Sequence, residues 1–423
     1  MKTQKFTMYK WGYLIIVFFV VILFSCNRED EINSPLLNHS IFYSINNILA
    51  SERLLSIMYS QEDSTYTRER FKIVHISDLH LSTWSTDNNK ESPYNLQEAV
   101  MFANQSNLKI NTLVATGDFV GNELQTKKQE AINNLTSFIQ YFYKSNKVPS
   151  FTCLGNHDSN MLSTKASEHI SKKELYNIFQ ASFNYPINKM IGENYYYADI
   201  PTTTQSIIRI IALDMTDQNT FIYDTQHYAV FSQKQIDWLC QIALQKDMTN
   251  NHSIIILNHY PFQPYSKKRE TFLCDGDFVH QWNMIPEIIE AFRKKEKIEY
   301  IYTNKFIPNS PIHVHVDFST TPGEFICYLG GHAHITSQFQ IKGLSNQSPL
   351  LPLQNMLLCT NQSPSEIGLV YNKVQRQNQS IDSNSFCIYA IDTIEKKIYI
   401  TFFGAYKPHN SIDYPEVIDI KYL

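Results

Sequence analysis

Five short apolar runs in this chain each stop at a polar block. Phe71-Lys72-Ile73-Val74-His75-Ile76-Ser77 leads into Asp78-Leu79-His80. Thr112-Leu113-Val114-Ala115-Thr116 leads into Gly117-Asp118, and the stretch from Pro149 to Leu154 leads into Gly155-Asn156-His157-Asp158. Ser253 to Leu257 ends at Asn258-His259, and Glu324 to Leu329 ends at Gly330-Gly331-His332-Ala333-His334. Runs this short, rich in Ile and Val and bounded by Gly, Asn and Asp, read as buried strands. The intervening stretches carry helix signals. Ser92-Pro93 is a cap followed by a first-turn proline, opening a helix to about Ser106. Ala131 to Tyr143 has helical spacing, Ser171 with Glu174 forms a capping box, and Ser232 with Gln235 opens a helix carrying Ile236, Trp238, Leu239 and Ile242. Ile285 to Arg293 reads as a further helix. Strand, helix, strand at this spacing predicts βαβ units and a partly parallel sheet, an α/β fold.

Other stretches complete the plan. Tyr195 to Ile200 and Ile207 to Leu213 read as paired strands. Residues 300–322 read as an irregular loop on the substrate side. Within it, the alternation Ile312-His313-Val314-His315-Val316 marks an exposed strand face for the two histidines. Met356 to Thr360, Phe386 to Ile391 and Lys397 to Phe403 read as antiparallel strands completing a second sheet, within C-terminal strands spanning 351–404.

The start of the chain follows a different pattern. Lys2, Lys5 and Lys10 precede the unbroken apolar run Leu14 to Phe24, followed by Ser25-Cys26. That is the layout of an export signal. Leu23-Phe24-Ser25-Cys26 resembles a bacterial lipoprotein signal, in which the cysteine becomes the lipidated first residue. A transmembrane anchor needs about 20 apolar residues, more than this run supplies. Residues 1–26 are therefore expected to be a signal peptide. Residues 27–70 are expected to be a tether and N-terminal segment, with helical spacing over Ile41, Ile45, Ile48, Leu49, Leu54 and Met58. Residues 71–423 form the folded domain. The implied location is outside the cytoplasm, lipid-anchored to a bacterial cell membrane on its periplasmic or cell-surface side.

Composition sharpens this picture in two respects. A formal net charge of −4 over 423 residues gives no bulk electrostatic signature of a nucleic-acid binder, and no specific nucleic-acid partner is indicated. Six cysteines follow Cys26, most in apolar company and none in CxxC spacing. They read mainly as buried thiols acting as small hydrophobes, with one bonded pair still open.

The polar blocks carry the chemistry. Sites in α/β sheets form beyond the carboxyl ends of strands. In extended backbone, residues i and i+2 point the same way, so Asp78 and His80 aim at one point. Carboxylate and imidazole ligands suit manganese, iron or zinc. A carboxylate can bridge two cations, and Asp118, following a glycine, is placed to do so. Asp78, His80 and His334 would complete one metal, and Asn156, His259 and His332 the other. His75, inside its strand, reads as packing. Trp84, Tyr260, Phe262 and Tyr265 flank the blocks as core or cleft lining.

The order Asp-x-His, Gly-Asp, Gly-Asn-His-Asp, His, Gly-His-x-His over residues 78–334 resembles the calcineurin-like metallophosphoesterase superfamily. The resemblance implies two packed mixed β-sheets flanked by helices, with a dinuclear metal centre at the sheet edge. It implies the ligand set just given, with His157 near the leaving group as the catalytic acid. It also implies a hydrolase of phosphate esters, acting on phosphomonoesters or phosphodiesters. Asn258 stands where the family often has glycine. Ser159-Asn160-Met161 stands where the serine/threonine phosphatases carry an arginine, which disfavours that branch. The contrasting class is a non-catalytic metal-bearing binding lipoprotein, and the intact ligand set weighs against it.

Overall fold

The computed structural model describes residues 70–81, 92–121, 126–160, 165–180, 182–217, 231–262, 283–303, 311–332, 336–341, 354–359, 385–404 and 417–420. The stretches expected to form a signal peptide and a tether helix, and Trp84, Tyr265, His334 and Cys274, lie outside them. Among the described residues no helix is long and apolar enough to cross a membrane.

The elements follow in chain order. They are β1 (Phe71–Ile76), α1 (Ser92–Ala103), β2 (Thr112–Ala115), α2 (Lys128–Lys144), β3 (Ser150–Thr152), α3 (Lys172–Gln180), β4 (Asn188–Lys189), β5 (Tyr196–Pro201), β6 (Ile207–Ala212), α4 (Gln233–Trp238), β7 (His252–Leu257), α5 (Met284–Lys294), β8 (Lys297–Tyr302), β9 (Ile312–Asp317), β10 (Glu324–Gly330), β11 (Ser337–Ile341), β12 (Gln354–Leu358), β13 (Ser385–Asp392), β14 (Lys397–Gly404) and β15 (Val417–Asp419). One sheet runs β15-β14-β13-β1-β2-β3, the other β11-β12-β10-β7-β6-β5-β4. β1, β2 and β3 are parallel, as are β6, β7, β10 and β12. The two mixed sheets and their helices match the expected fold class. The caps predicted at Ser171 and Ser232 are present: Ser171 Oγ accepts from Glu174 N at 3.3 Å while Glu174 Oε2 accepts from Ser171 N at 2.8 Å. Ser232 Oγ accepts from Gln235 N at 3.1 Å.

Side-chain alternation sorts the strands between two cores. Ile255 and Leu257 of β7 join the core that also holds β1, β2 and β13, while Ile254 and Ile256 pack in a second core with α4, α5 and the β8–β9 hairpin. A strand covered on both faces has no solvent side, so its sequence is apolar throughout. Truncating Ile256 to Ala would cost about 2–5 kcal/mol. His75 belongs to this interior. It is wholly buried, and its Nε2 and Nδ1 face Thr116 Oγ1 at 2.8 Å and Tyr389 Oη at 3.3 Å. Burial pushes its pKa down to about 3, so the ring is a neutral packing element.

Two expectations need correction. Residues 300–322 do not form one irregular loop, because β8 and β9 pair as an antiparallel hairpin from Lys297↔Asp317 to Tyr302↔Ile312. Ile312, Val314 and Val316 pack inward with His313 and His315 outward. The C-terminal strands also divide between the sheets. β12 lies parallel to β10, whereas β13 and β14 return to the first sheet, β13 antiparallel to β1. Strand pattern fixes which face is buried, but the sheet a strand joins is settled by long-range pairing.

Candidate active site

The polar blocks from both sheets meet beyond the strand ends. Their backbones are laced together: Asp78 N donates to Gly117 O at 3.1 Å and His80 N to Asp118 O at 3.0 Å. In the second sheet Gly331 N donates to His259 O at 2.9 Å. Asp78, His80, Asp118 and His332 all have positive φ, at 54°, 47°, 52° and 68°. Asp78 and His80 therefore sit in left-handed turns, not in the extended geometry expected from their i, i+2 spacing. Non-glycine residues enter this region at a cost that the surrounding structure must hold in place.

Two glycines allow the approach. Gly117 has φ of 89°, and a Cβ there would sit 2.6 Å from His259 Nδ1. A Cβ on Gly331 would collide with Ser77 Oγ and lie 2.7 Å from Asp78 Oδ2.

Asp118 is the centre of the cluster. Its Oδ1 accepts from His157 N at 2.9 Å, which fixes the carboxylate. Its Oδ2 lies 3.1 Å from His259 Nε2 and 3.9 Å from both His80 Nε2 and His157 Nε2. Two three-residue groups have donor atoms within 4.8 Å of one another: His80, Asp118 and His157, and Asp118, His259 and His332. Asn156 Oδ1 completes the second, 3.2 Å from both His259 Nε2 and His332 Nδ1. Asp78 is outside both groups. It is wholly buried beside them, with Oδ1 accepting from His332 N at 2.9 Å.

The donor set suits a cation. His259 Nδ1 lies 2.6 Å from the Thr116 carbonyl, which accepts only, so Nδ1 carries the hydrogen. A neutral His259 then points an Nε2 lone pair at Asp118 Oδ2 and Asn156 Oδ1, both acceptors. Only a proton or a metal ion relieves that convergence. The Thr116 carbonyl supplies the kind of outer partner that orients a ligating imidazole.

The titration behaviour follows from the crowding. Burial, with the nearby Asp118 charge, lifts the Asp78 carboxyl to about 8 against the pull of His259. Burial also pushes Asp118 up, but His259, His157 and His80 outweigh it and hold that carboxyl well below the usual range. Burial pushes His259 down, and the Asp118 carboxylate reverses this, raising it to about 9.

Six of the seven predicted metal ligands, together with His157, make up this description: Asp78, His80, Asp118, Asn156, His259 and His332, with His334 outside the described residues. Asn156 and His157, adjacent in sequence, serve opposite sides of Asp118. His157 packs edge-on against His80, ring centroids 4.6 Å apart.

Sequence reasoning missed the part played by Asp158. It is buried, and it accepts from Gly155 N at 2.7 Å, Asp118 N at 3.0 Å and Phe119 N at 2.8 Å. One carboxylate thus joins two site loops. The signal was its place beside Asn156-His157, but a carboxylate that binds distant amides leaves no local periodicity. Asp158→Ala would leave the amides it binds unpaired and is expected to cost on the order of 3 kcal/mol, read as a lower chemical-denaturation midpoint. An unchanged midpoint would remove Asp158 from this role.

Strand ends from two sheets thus bring together carboxylates and imidazoles that could hold a metal ion, with Asp118 at their centre. The family model for calcineurin-like phosphoesterase matches residues 71–270, so the chain carries a calcineurin-like phosphoesterase domain and is a hydrolase acting on phosphoester bonds. No curated protein matches it. Among solved structures, that of PhoD is similar at 9% identity over 85% of this chain and 73% of that chain, with a TM-score of 0.43.

Proposed function

We propose that the chain hydrolyses phosphate esters at a dinuclear metal centre bridged by Asp118. The observation that carries this reading is that one oxygen, Asp118 Oδ2, is common to both three-residue groups. Asp78, His80 and His334 are assigned to one ion, and Asn156, His259 and His332 to the other, with manganese, iron or zinc as the candidates. Such ions supply Lewis-acid stabilisation of phosphoryl charge and acidify a water for attack.

The chain's own groups have separable duties. Thr116 O orients His259, His157 N orients the Asp118 carboxylate, and His332 N orients Asp78. His157 is assigned as the acid that protonates the leaving oxygen. Its side chain is 21% exposed, whereas those of His80 and His259 are at 4% and 0%. A group that meets substrate and exchanges protons with solvent needs that access.

The test is a panel of phosphomonoesters, phosphodiesters, nucleotides, sugar phosphates and phospholipids offered to metal-loaded protein. Hydrolysis of one class sets mono- or diester preference, and no hydrolysis of any would reject the reading. We further propose that Cys26 carries the lipid that holds the body at the membrane, on the strength of the apolar run ending at Ser25-Cys26. Cys26→Ser is expected to abolish lipid labelling, and labelling that persists in that variant rejects the assignment.

A further inference from the structure

The two sheets approach one another behind the site through sulfur. Cys359 follows β12 in the seven-stranded sheet, and Cys387 lies within β13 of the six-stranded sheet. Both are free thiols with no exposure to solvent. Cys359 Sγ donates to His75 O at 3.2 Å, and Cys387 is the residue directly opposite His75 in the β1–β13 register. Cys359 and Cys387 thus meet at the same residue, His75, one from each sheet. His75 is three residues before Asp78 on β1, so this contact sits beneath a proposed ligand.

We propose that Cys359 and Cys387 are a disulfide-forming pair whose bond staples the two sheets together beneath the β1 end that carries Asp78. Each thiol gives up a proton, one sulfur–sulfur bond forms, and two electrons pass to a thiol–disulfide oxidant whose own disulfide becomes a dithiol. Burial raises the Cys359 thiol well above its ordinary range, so the folded pair is shielded from attack, and oxidation belongs to the folding chain before the sheets close. For protein made in the cell, the inference rests on the proposed export, because only an oxidising compartment maintains such a bond.

The experiment is peptide mapping of full-length protein refolded in a glutathione/glutathione disulfide buffer, then denatured with an alkylating agent and no reductant. The expected result is a linked peptide pair joining Cys359 to Cys387, with Cys153, Cys240 and Cys327 alkylated. Alkylation of both Cys359 and Cys387, or a link from either to another cysteine, would overturn the proposal. A second reading does not depend on the map. Reductant present during unfolding should lower the melting midpoint of the oxidised wild type by about 5 °C and leave Cys387→Ser unmoved. Equal midpoints with and without reductant in the wild type would also overturn it. A link that forms in the glutathione buffer but is missing from cell-derived protein supports the pairing and rejects the export reading instead.

Discussion

Asp118→Asn is expected to lower kcat/KM by about 10³-fold or more and to reduce bound metal on both sides of the site. The substitution is nearly isosteric. Its amide oxygen can still accept from His157 N, so the loop that Asp118 closes should stay in place. What changes is the second oxygen, which faces His259, His80 and His157 and becomes a neutral NH₂ donor or a neutral carbonyl. Neither bridges two cations as a carboxylate does. Asp118 is also the group that raises His259 to about 9, so the imidazole loses its main charged partner. By contrast, His332→Ala removes a donor from only one of the two groups and should weaken one ion more than the other. Elemental analysis of purified protein, with circular dichroism to show an unchanged fold, distinguishes the cases. Two ions held at wild-type affinity in Asp118→Asn would exclude a bridging role.

The second large effect belongs to His157. An alkoxide is a poor leaving group and needs a proton as it departs, whereas a nitrophenolate leaves readily without one. His157→Gln is therefore expected to lose on the order of 10²–10⁴-fold in kcat/KM with alkyl phosphoesters. With nitrophenyl esters the loss should be much smaller. The structure adds a competing role that the sequence did not raise, since His157 Nε2 falls within one of the two donor groups. The two roles separate on metal content. An acid leaves both ions in place when it is replaced, while a ligand takes one with it. With metal content held equal, equal losses on both substrate types would remove His157 from the acid role and point to phosphate binding or loop structure.

Most of the site was legible because its residues follow strands. Buried parallel strands are apolar runs, and the polar block after each marks where the sheet edge begins, so the sequence alone gathers Asp78, Asp118, Asn156, His259 and His332. The local backbone was not legible. The positive φ at Asp78, His80, Asp118 and His332 is imposed by the lacing between loops of different sequence position, such as Asp78 N to Gly117 O. Asp158 was missed for the same reason, since its partners Asp118 and Phe119 lie about forty residues away. The β8–β9 hairpin was read as irregular although the alternation in Ile312 to Val316 was visible, because its partner strand, with Glu299, Tyr300 and Ile301 all exposed, alternates weakly. The return of β13 and β14 to the first sheet depends on pairing across most of the chain, which no local pattern encodes.

The central claim is that Asp118 joins two metal ions, and the most direct measurement is an anomalous-difference map from crystals of the metal-loaded protein. The account predicts two peaks flanking the Asp118 carboxylate, one beside His80 and the other beside Asn156, His259 and His332. A single peak, or two peaks neither of which touches Asp118, would contradict it.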